Sequence, residues 1–421
     1  MKKTILLFVV CLFGFLPSLE AAQWYRGVTH AHSNWSDGNV TLEEAASWYQ
    51  FHGYHFATIS DHRILQTDPN RWVDVSQEKV DELDAKFGKG WTDTRTVDGK
   101  LQMRLKTIGE AEKKFNEPGR FLLIPGLELT AHTVEGDKAL HMNALNVTKT
   151  IPYPDDPTLA GTIRKAIAAT REHGQAEKRP TLLIVNHPTS YYYDIEPKAL
   201  IDVDEVEFYE FFNPDFQLRT TYTLNDEQFW TRENYWDIVS AFRTVAGKKF
   251  VYGVGADDAH NYLTLEKLTW IPGVTWICVR AEELTADALF QAMRKGDFYI
   301  STGMELDNIR FEDSTKTLTV DVKPEEGVKY RIDFIGTKKN FDRMEEPFVL
   351  EQTATNPTRA GFTYRFEDFG VTLKSVEGTT ASYTMKDDDL YVRAKVTSDR
   401  PIRVPNEYEP PTETAWTQPY R

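Results

Sequence analysis

Six of the ten histidines lie in short clusters with acidic residues, and these clusters are where the sequence could do chemistry. Two clusters have the spacing i, i+2: His30 with His32, and Asp258 with His260. Alternate residues of a strand point to one face, so each pair could bind one ion. Nearly all of the candidate ligands follow an apolar run, and they are His30, His32, Asp37, His62, Glu128, His141, His187, Asp258 and His260.

Nine candidate ligands are more than one ion needs, because a structural zinc site is closed by four. The two cysteines, Cys11 and Cys278, exclude a thiolate cluster, so nitrogen and oxygen atoms must hold the metal. Carboxylates among imidazoles suit Zn, Mn or Fe. The sequence therefore predicts two to three divalent ions. A hydroxide bridging such ions is a nucleophile near neutral pH, and the ions stabilise charge on substrate oxygens.

The elements that must position these residues alternate between short apolar runs and amphipathic stretches, which is typical of βα units. Strands are predicted at 25–32, 54–60, 121–129, 140–147, 181–186, 205–211 and 250–255. Helices are predicted at 41–52, where Thr41 and Glu44 form a capping box, and at 157–173, 232–246 and 285–295. Seven strands interleaved with helices indicate an α/β barrel, whose active site lies at the strand ends. The polar stretch 66–118 is interpreted as an insertion, either a lid or an inert elaboration.

The pattern changes after Gly303. Alternating runs at 309–311, 317–322, 330–335 and 390–396 predict a small β-sandwich-like C-terminal domain. The proline-rich stretch 401–419 is expected to be a covering or loose tail. We therefore predict a signal peptide at 1–22, a barrel at 23–303 and a β-rich domain at 304–421.

The first residues are typical of an export signal. Lys2 and Lys3 precede an apolar run at 5–16 and small residues up to Ala22. The run is shorter than the roughly 20 residues that span a bilayer. We therefore expect a cleaved signal, a periplasmic or extracellular location and no membrane span after cleavage; the alternative is an uncleaved anchor.

The net charge of −15 argues against binding of long nucleic acid, which depends on a positive surface. It does not exclude a small anionic or ester substrate, because metal ions can supply positive charge locally.

Taken together, the motifs resemble those of the polymerase-and-histidinol-phosphatase (PHP) superfamily of metal-dependent hydrolases. The resemblance covers about residues 24–303 and rests on His30-Ala31-His32, Ser36-Asp37-Gly38, Ser60-Asp61-His62, Glu128, His141, Asn186-His187-Pro188 and the run Gly255 to His260. It implies a distorted seven-stranded β/α barrel.

The resemblance also implies how the ligands are shared. One ion would be held by His30, His32, Glu128 and Asp258, and a second by Glu128, His141 and His187. A third would be held by Asp37, His62 and His260, although the family often has histidine where this chain has Asp37. Asp61 and Asp257 would lie behind the ligands; a solvated surface carboxylate is the alternative for each.

A looser resemblance links the chain to a secreted branch that includes carbaryl-hydrolase-type enzymes. It rests on Phe298-Tyr299-Ile300-Ser301-Thr302-Gly303 and the β-rich region that follows. It implies cleavage of a carbamate or carboxylic ester at the same cluster.

Our first hypothesis is hydrolysis of phosphomonoesters, nucleotides or short oligonucleotide ends, with Glu128, His260, Asp61 and Arg63 as catalytic candidates. Arg63 could bind a phosphate or be an ordinary surface arginine, and His260 or a nearby acid could assist the leaving group. Tyr191, Tyr192 and Tyr193 could line the pocket mouth or simply pack. The alternatives are the carbamate or ester hydrolase and a non-catalytic metal-holding protein whose C-terminal domain contacts glycan or the cell envelope.

Overall fold

The computed structural model describes residues 22–132, 139–189, 195–214, 223–224, 227–228, 231–263, 270–350, 359–402 and 411–421. In the first half of the chain the elements are β1 (Gln23–Val28), α1 (Leu42–Phe51), β2 (Phe56–Ile59), β3 (Trp72–Asp74), α2 (Gln77–Phe87), β4 (Thr94–Val97), β5 (Lys100–Arg104), α3 (Ile108–Phe115), β6 (Leu122–His132), β7 (Ala139–Leu145), α4 (Leu159–Glu177), β8 (Leu182–Val185), α5 (Pro197–Asp202) and β9 (Phe208–Phe212).

In the second half they are β10 (Thr223–Leu224), β11 (Glu227–Gln228), α6 (Arg232–Val245), β12 (Tyr252–Gly255), β13 (Trp276–Ala281), α7 (Ala286–Arg294), β14 (Phe298–Ser301), β15 (Leu306–Glu312), β16 (Thr317–Val322), β17 (Tyr330–Gly336), β18 (Glu346–Leu350), β19 (Arg359–Thr363), a 3-10 turn (Phe366–Asp368), β20 (Val371–Glu377), β21 (Thr380–Thr384), β22 (Arg393–Pro401) and β23 (Thr412–Thr417).

The protein is a mixed α/β structure built on one large sheet. Seven of its strands lie side by side in the order β12-β9-β8-β7-β6-β2-β1. Four of the six ladders between them are parallel, and the two ladders made by β7 are antiparallel. An isolated bridge between Ala31 and Ala259 joins the segments that follow β1 and β12, so the first and last of these strands meet at their carboxyl ends.

The insertion between β2 and β6 has its own fold. Strands β3, β5 and β4 form a small antiparallel sheet beside α2 and α3. The insertion is anchored to the loop after β1, because the buried Trp35 donates its indole N–H to the carbonyl of Lys106. Arg71 in turn donates to the carbonyl of Trp35. The insertion therefore supports the loop that carries Asp37.

The large sheet continues past residue 303. Strand β13 pairs with β1, and β14, β23, β22, β17 and β20 follow in that order. The expectation of a covering or loose tail is wrong for residues 412–417, because β23 lies between β14 and β22 with ladders on both sides. The alternating sequence of this strand is short and lies between prolines, which hid it from sequence analysis.

A buried ion pair fastens helix α6 to β22. Arg393 donates to both carboxylate oxygens of Asp237, at 2.9 and 2.6 Å, and each side chain is only 1% exposed. Tyr391 donates its hydroxyl to the same carboxylate at 2.8 Å. The strands after residue 303 are thus tied to the helical layer as well as to the sheet.

Residues 1–21 of the predicted signal peptide, 1–22, lie outside the described residues. Within the described ranges, no helix is both long enough and apolar enough to cross a membrane.

Candidate metal centre

The nine candidate ligands converge at one end of the seven strands. Glu128 and His141 lie within β6 and β7, and the other ligands lie in the segments that directly follow strands β1, β2, β8 and β12. Two backbone hydrogen bonds join the ends of β1 and β12: His32 N–H donates to the carbonyl of Ala259 at 2.8 Å, and Asp258 N–H to that of His30 at 3.1 Å. These bonds bring the two i, i+2 pairs together. The structure places eight of the nine residues in three groups, and Asp258 lies beside the first group.

The first group contains His30, His32 and Glu128, all fully buried. The Nε2 atoms of the two histidines are 3.0 Å apart, and each lies 3.5 Å from Glu128 Oε2. Asp258 Oδ1 lies 3.0 Å from both Nε2 atoms. Four potential ligand atoms therefore surround the same small volume.

The second group uses the other oxygen of Glu128. Oε1 lies 3.2 Å from His141 Nδ1 and 3.8 Å from His187 Nε2. Oε2 faces the first group and Oε1 the second, so this carboxylate contributes one oxygen to each group.

The third group is the most open one and contains His32, Asp37, His62 and His260. Asp37 Oδ1 lies 3.3 Å from His260 Nε2, and Oδ2 lies 3.5 Å from His62 Nε2. The side chain of Asp37 is 56% exposed, whereas the histidines around it are mostly buried. This group therefore offers the easiest access from solvent.

The residues fit divalent metal ions by a direct structural criterion. Glu128 Oε2 is fully buried among three imidazoles, with His62 Nδ1 at 2.7 Å and the Nε2 atoms of His30 and His32 at 3.5 Å. A buried carboxylate is costly unless positive charge, from a proton or a metal ion, lies beside it. Ligand atoms sharing one ion at about 2.0–2.2 Å cannot be more than about 4.4 Å apart. The separations given above for the first two groups, 3.0 to 3.8 Å, meet that limit. The cluster could therefore bind divalent metal.

The electrostatics of the cluster favour positive charge. Burial opposes protonation of His187 and His260, but neighbouring carboxylates, including Asp258 for both, outweigh it and raise the pKa of each to about 9. Burial and the nearby His260 ring instead lower the pKa of His32 to about 3. The carboxylates thus create a negative field that a proton or a metal ion relieves.

Three non-glycine residues at the centre have left-handed backbone conformations. The φ angles are 25° for His187, 49° for Asp258 and 59° for Arg63. Such conformations cost about 1–3 kcal/mol each and persist where the surrounding structure enforces them, often at functional sites. Here they turn side chains at three strand ends towards the cluster or its rim.

Asp61 lies beside the cluster and holds one of its loops. Its buried carboxylate accepts hydrogen bonds from the backbone N–H and hydroxyl groups of Ser33 and Ser36, and from Gln66. The described contacts of its side chain are with this loop and Gln66 rather than with a candidate ligand. Asp257 plays a similar part, accepting three backbone N–H groups from residues 273–275.

Arg63 lies at the rim. Its Nε donates to the carbonyl of Thr130 at 2.9 Å, and Thr130 Oγ1 lies 2.6 Å from His62 Nδ1. The side chain is exposed and forms no ion pair within the described part of the chain. Tyr191, Tyr192 and Tyr193, considered as a lining of the pocket mouth, lie outside the described residues.

Sequence analysis missed Glu210, a fully buried carboxylate of β9. Its Oε1 lies 2.7 Å from His30 Nδ1. The available signal was one acidic residue within the apolar run Phe208-Tyr209-Glu210-Phe211-Phe212.

No known protein family and no curated protein matches the sequence. Among solved structures, the fold is similar to a two-domain protein from Bacteroides vulgatus ATCC 8482 that contains a predicted PHP-like metal-dependent phosphoesterase. The identity is 13%, the match covers 95% of this chain and 94% of the other, and the TM-score is 0.39. A second similar structure, from Bifidobacterium adolescentis ATCC 15703, is named as a predicted metal-dependent phosphoesterase. The identity is 13%, the match covers 56% of this chain and 87% of the other, and the TM-score is 0.29. With TM-scores this low, the functional argument rests on the residues of the centre.

Proposed function

We propose that the protein is an exported metal-dependent hydrolase of phosphoric esters, acting on phosphomonoesters, nucleotides or short oligonucleotide ends. The observation that carries the proposal is the sharing of Glu128 between two ligand groups, beside a third group built on Asp37. A single structural ion needs four ligands and no open side. A cluster that shares ligands and has an exposed edge is better suited to substrate turnover.

The residues that would hold the ions are the three groups already described, with Zn, Mn or Fe as the metals that such ligands prefer. Two to three such ions supply an activated water nucleophile near neutral pH and neutralise charge on substrate oxygens. The resulting positive charge is local, so the net charge of −15 does not oppose a small anionic substrate.

The chain's own groups would orient the substrate and move a proton. Among the described residues, the guanidinium of Arg63 is held through Nε alone, which leaves its two terminal nitrogens for a phosphate. His260 Nδ1 donates to the carbonyl of Asp258 at 2.7 Å. Only Nε2 of His260 is then left, either to bind an ion or to give a proton to the leaving group. Asp61 supports the Asp37 loop from behind.

The proposal extends to the surroundings of the site. We propose that the seven strands form a distorted β/α barrel, that the chain is periplasmic or extracellular, and that the β-rich C-terminal region contacts glycan or the cell envelope. Fractionation of the native host and glycan pull-down with the full chain test the last two points.

The test of the reaction is a substrate panel with purified protein reloaded with Zn, Mn or Fe. Phosphomonoesters should be hydrolysed only by the metal-loaded protein, and vanadate should inhibit. His141→Ala should lose activity, whereas His52→Gln should keep it, because His52 stacks on Trp48 away from the cluster. Turnover of carbamates or carboxylic esters alone would refute phosphoester hydrolysis, and no turnover of any substrate would favour the metal-holding protein.

A further inference from the structure

Glu210 is a buried charge in an apolar strand. Its neighbours Phe208, Phe211 and Phe212 are buried with it, and Glu210 itself has no exposed surface. A carboxylate in such surroundings is costly unless it is paired and fully hydrogen-bonded. Its partners should therefore show why it is there.

One oxygen of Glu210 contacts a ligand of the first group. Oε1 lies 2.7 Å from His30 Nδ1, and both side chains are fully buried. A histidine that binds metal through one ring nitrogen commonly donates the other N–H to a carboxylate, which fixes its tautomer and orientation. With the proton on Nδ1, Nε2 of His30 is free to face the first group.

The other oxygen contacts the second group. Oε2 accepts the backbone N–H of His187 at 3.0 Å, at the residue whose φ is 25°. It also accepts a hydrogen bond from Asn213 Nδ2 at 2.8 Å, and the same nitrogen lies 3.3 Å from Asp258 Oδ2. One carboxylate is thus connected to His30, to His187 and, through Asn213, to Asp258.

We propose that Glu210 is a positioning residue that sets the His30 tautomer and holds the first and second ligand groups at a fixed separation. The proposal rests on the metal centre described above, but it does not depend on which ester is hydrolysed.

Replacing Glu210 with glutamine tests this role, because glutamine keeps the size and shape of the side chain but changes its hydrogen-bonding groups. An amide has one accepting oxygen and one donating nitrogen, so it cannot accept hydrogen bonds on both sides. If its nitrogen faces His30, the ring must accept at Nδ1 and carry its proton on Nε2, which then cannot bind metal. If its nitrogen faces His187, the amide N–H of the glutamine points at the backbone N–H of His187, and neither group can accept a hydrogen bond.

The experiment measures zinc affinity by chelator competition and the visible spectrum of the cobalt-loaded protein, for wild type, Glu210→Gln and Asp389→Asn. Asp389 is a matched control: it is buried and accepts hydrogen bonds from Tyr383, Lys386 and Lys338 far along the chain from the centre. Glu210→Gln should bind zinc about 10- to 100-fold more weakly and alter the cobalt spectrum. Asp389→Asn should change neither.

Unchanged zinc affinity and cobalt spectrum in Glu210→Gln would overturn the proposal, as would equal weakening in Asp389→Asn. If Glu210→Gln does not fold, Asn213→Ala serves instead: weaker zinc binding supports the proposal, and wild-type affinity refutes it. A wild-type protein that binds no zinc would overturn both the centre and the role of Glu210. Normal zinc results without phosphoester turnover would refute only the proposed reaction.

Discussion

Glu128 and Asp37 should affect metal binding in different ways when each is replaced by alanine. Glu128 belongs to two of the three ligand groups, whereas Asp37 belongs only to the third. Glu128→Ala leaves the first group without its Oε2 and reduces the second group to two histidines. Asp37→Ala removes one ligand from the third group and leaves the other two complete. The first variant should therefore lose two ions and the second variant one.

The loss can be expressed as stability. An ion present at a free concentration of 100 times its Kd stabilises the fold by about 2.7 kcal/mol. Glu128→Ala should then lose about 5.4 kcal/mol of metal-dependent stability, and Asp37→Ala about 2.7 kcal/mol. With an entropy of unfolding of about 2.1 cal/mol/K per residue, a chain of 421 residues shifts its Tm by about 1.1 °C per kcal/mol. The metal-dependent rise in Tm should therefore shrink by roughly 6 °C for Glu128→Ala and roughly 3 °C for Asp37→Ala.

The assay compares Tm with zinc and with chelator for each variant, so that any effect of the substitution on the metal-free fold cancels. Elemental analysis of the same samples counts the ions. If Glu128→Ala keeps its full metal content, or if Asp37→Ala loses as many ions as Glu128→Ala, the assignment of Glu128 as the shared ligand is wrong.

Three further outcomes are expected. Gly38→Ala should weaken the third ion most, because its Cβ would lie 2.7 Å from the backbone carbonyl carbon of His32 and push the Asp37 loop outward. Elemental analysis of the metal content checks this. Asp237→Ala should lower the free energy of unfolding by about 3 kcal/mol in guanidinium titrations, since it removes the closest partner of the buried Arg393 and leaves it with Glu233 at 3.5 Å. Asp313→Ala, at an exposed pair with Lys316, should change it by less than about 1 kcal/mol. Burial opposes ionisation of Glu233, yet the charges of Lys395 and Arg393 lower its pKa to about 2. Its contribution to stability is therefore present above about pH 4.5 and is lost as the pH falls through about 2. In acid titrations monitored by circular dichroism, the stability of Glu233→Gln should depend less on pH over this range than that of the wild type.

The clustering of the candidate ligands could be predicted because it follows from local pattern. Residues that end parallel strands meet at one edge of the sheet, so His30, Glu128 and Asp258 could be placed together without knowing the strand order. The start of helix α1 could also be predicted, since Thr41 and Glu44 form the predicted capping box. In these cases a few neighbouring residues determine the structure.

What could not be predicted depends on long-range pairing. Strand β13 is an apolar run that sequence analysis did not identify, and it pairs antiparallel with β1. The role of Glu210 was hidden for the same reason, since its partner His30 lies 180 residues away in sequence. Asp61 was predicted both as a catalytic candidate and as a residue behind the ligands; its hydrogen bonds to the Ser33–Ser36 loop appear only in three dimensions.

The position of β23 has a consequence for synthesis on the ribosome. This strand fills the gap between β14 and β22, and Thr302 is bonded to Thr414, 112 residues later. Every other described strand of the large sheet leaves the ribosome before β23. The facing edges of β14 and β22 therefore stay unpaired until residues 412–417 have been made. Because such edges invite pairing with other chains, a nascent chain stalled before this point should depend on chaperones more than the finished protein does.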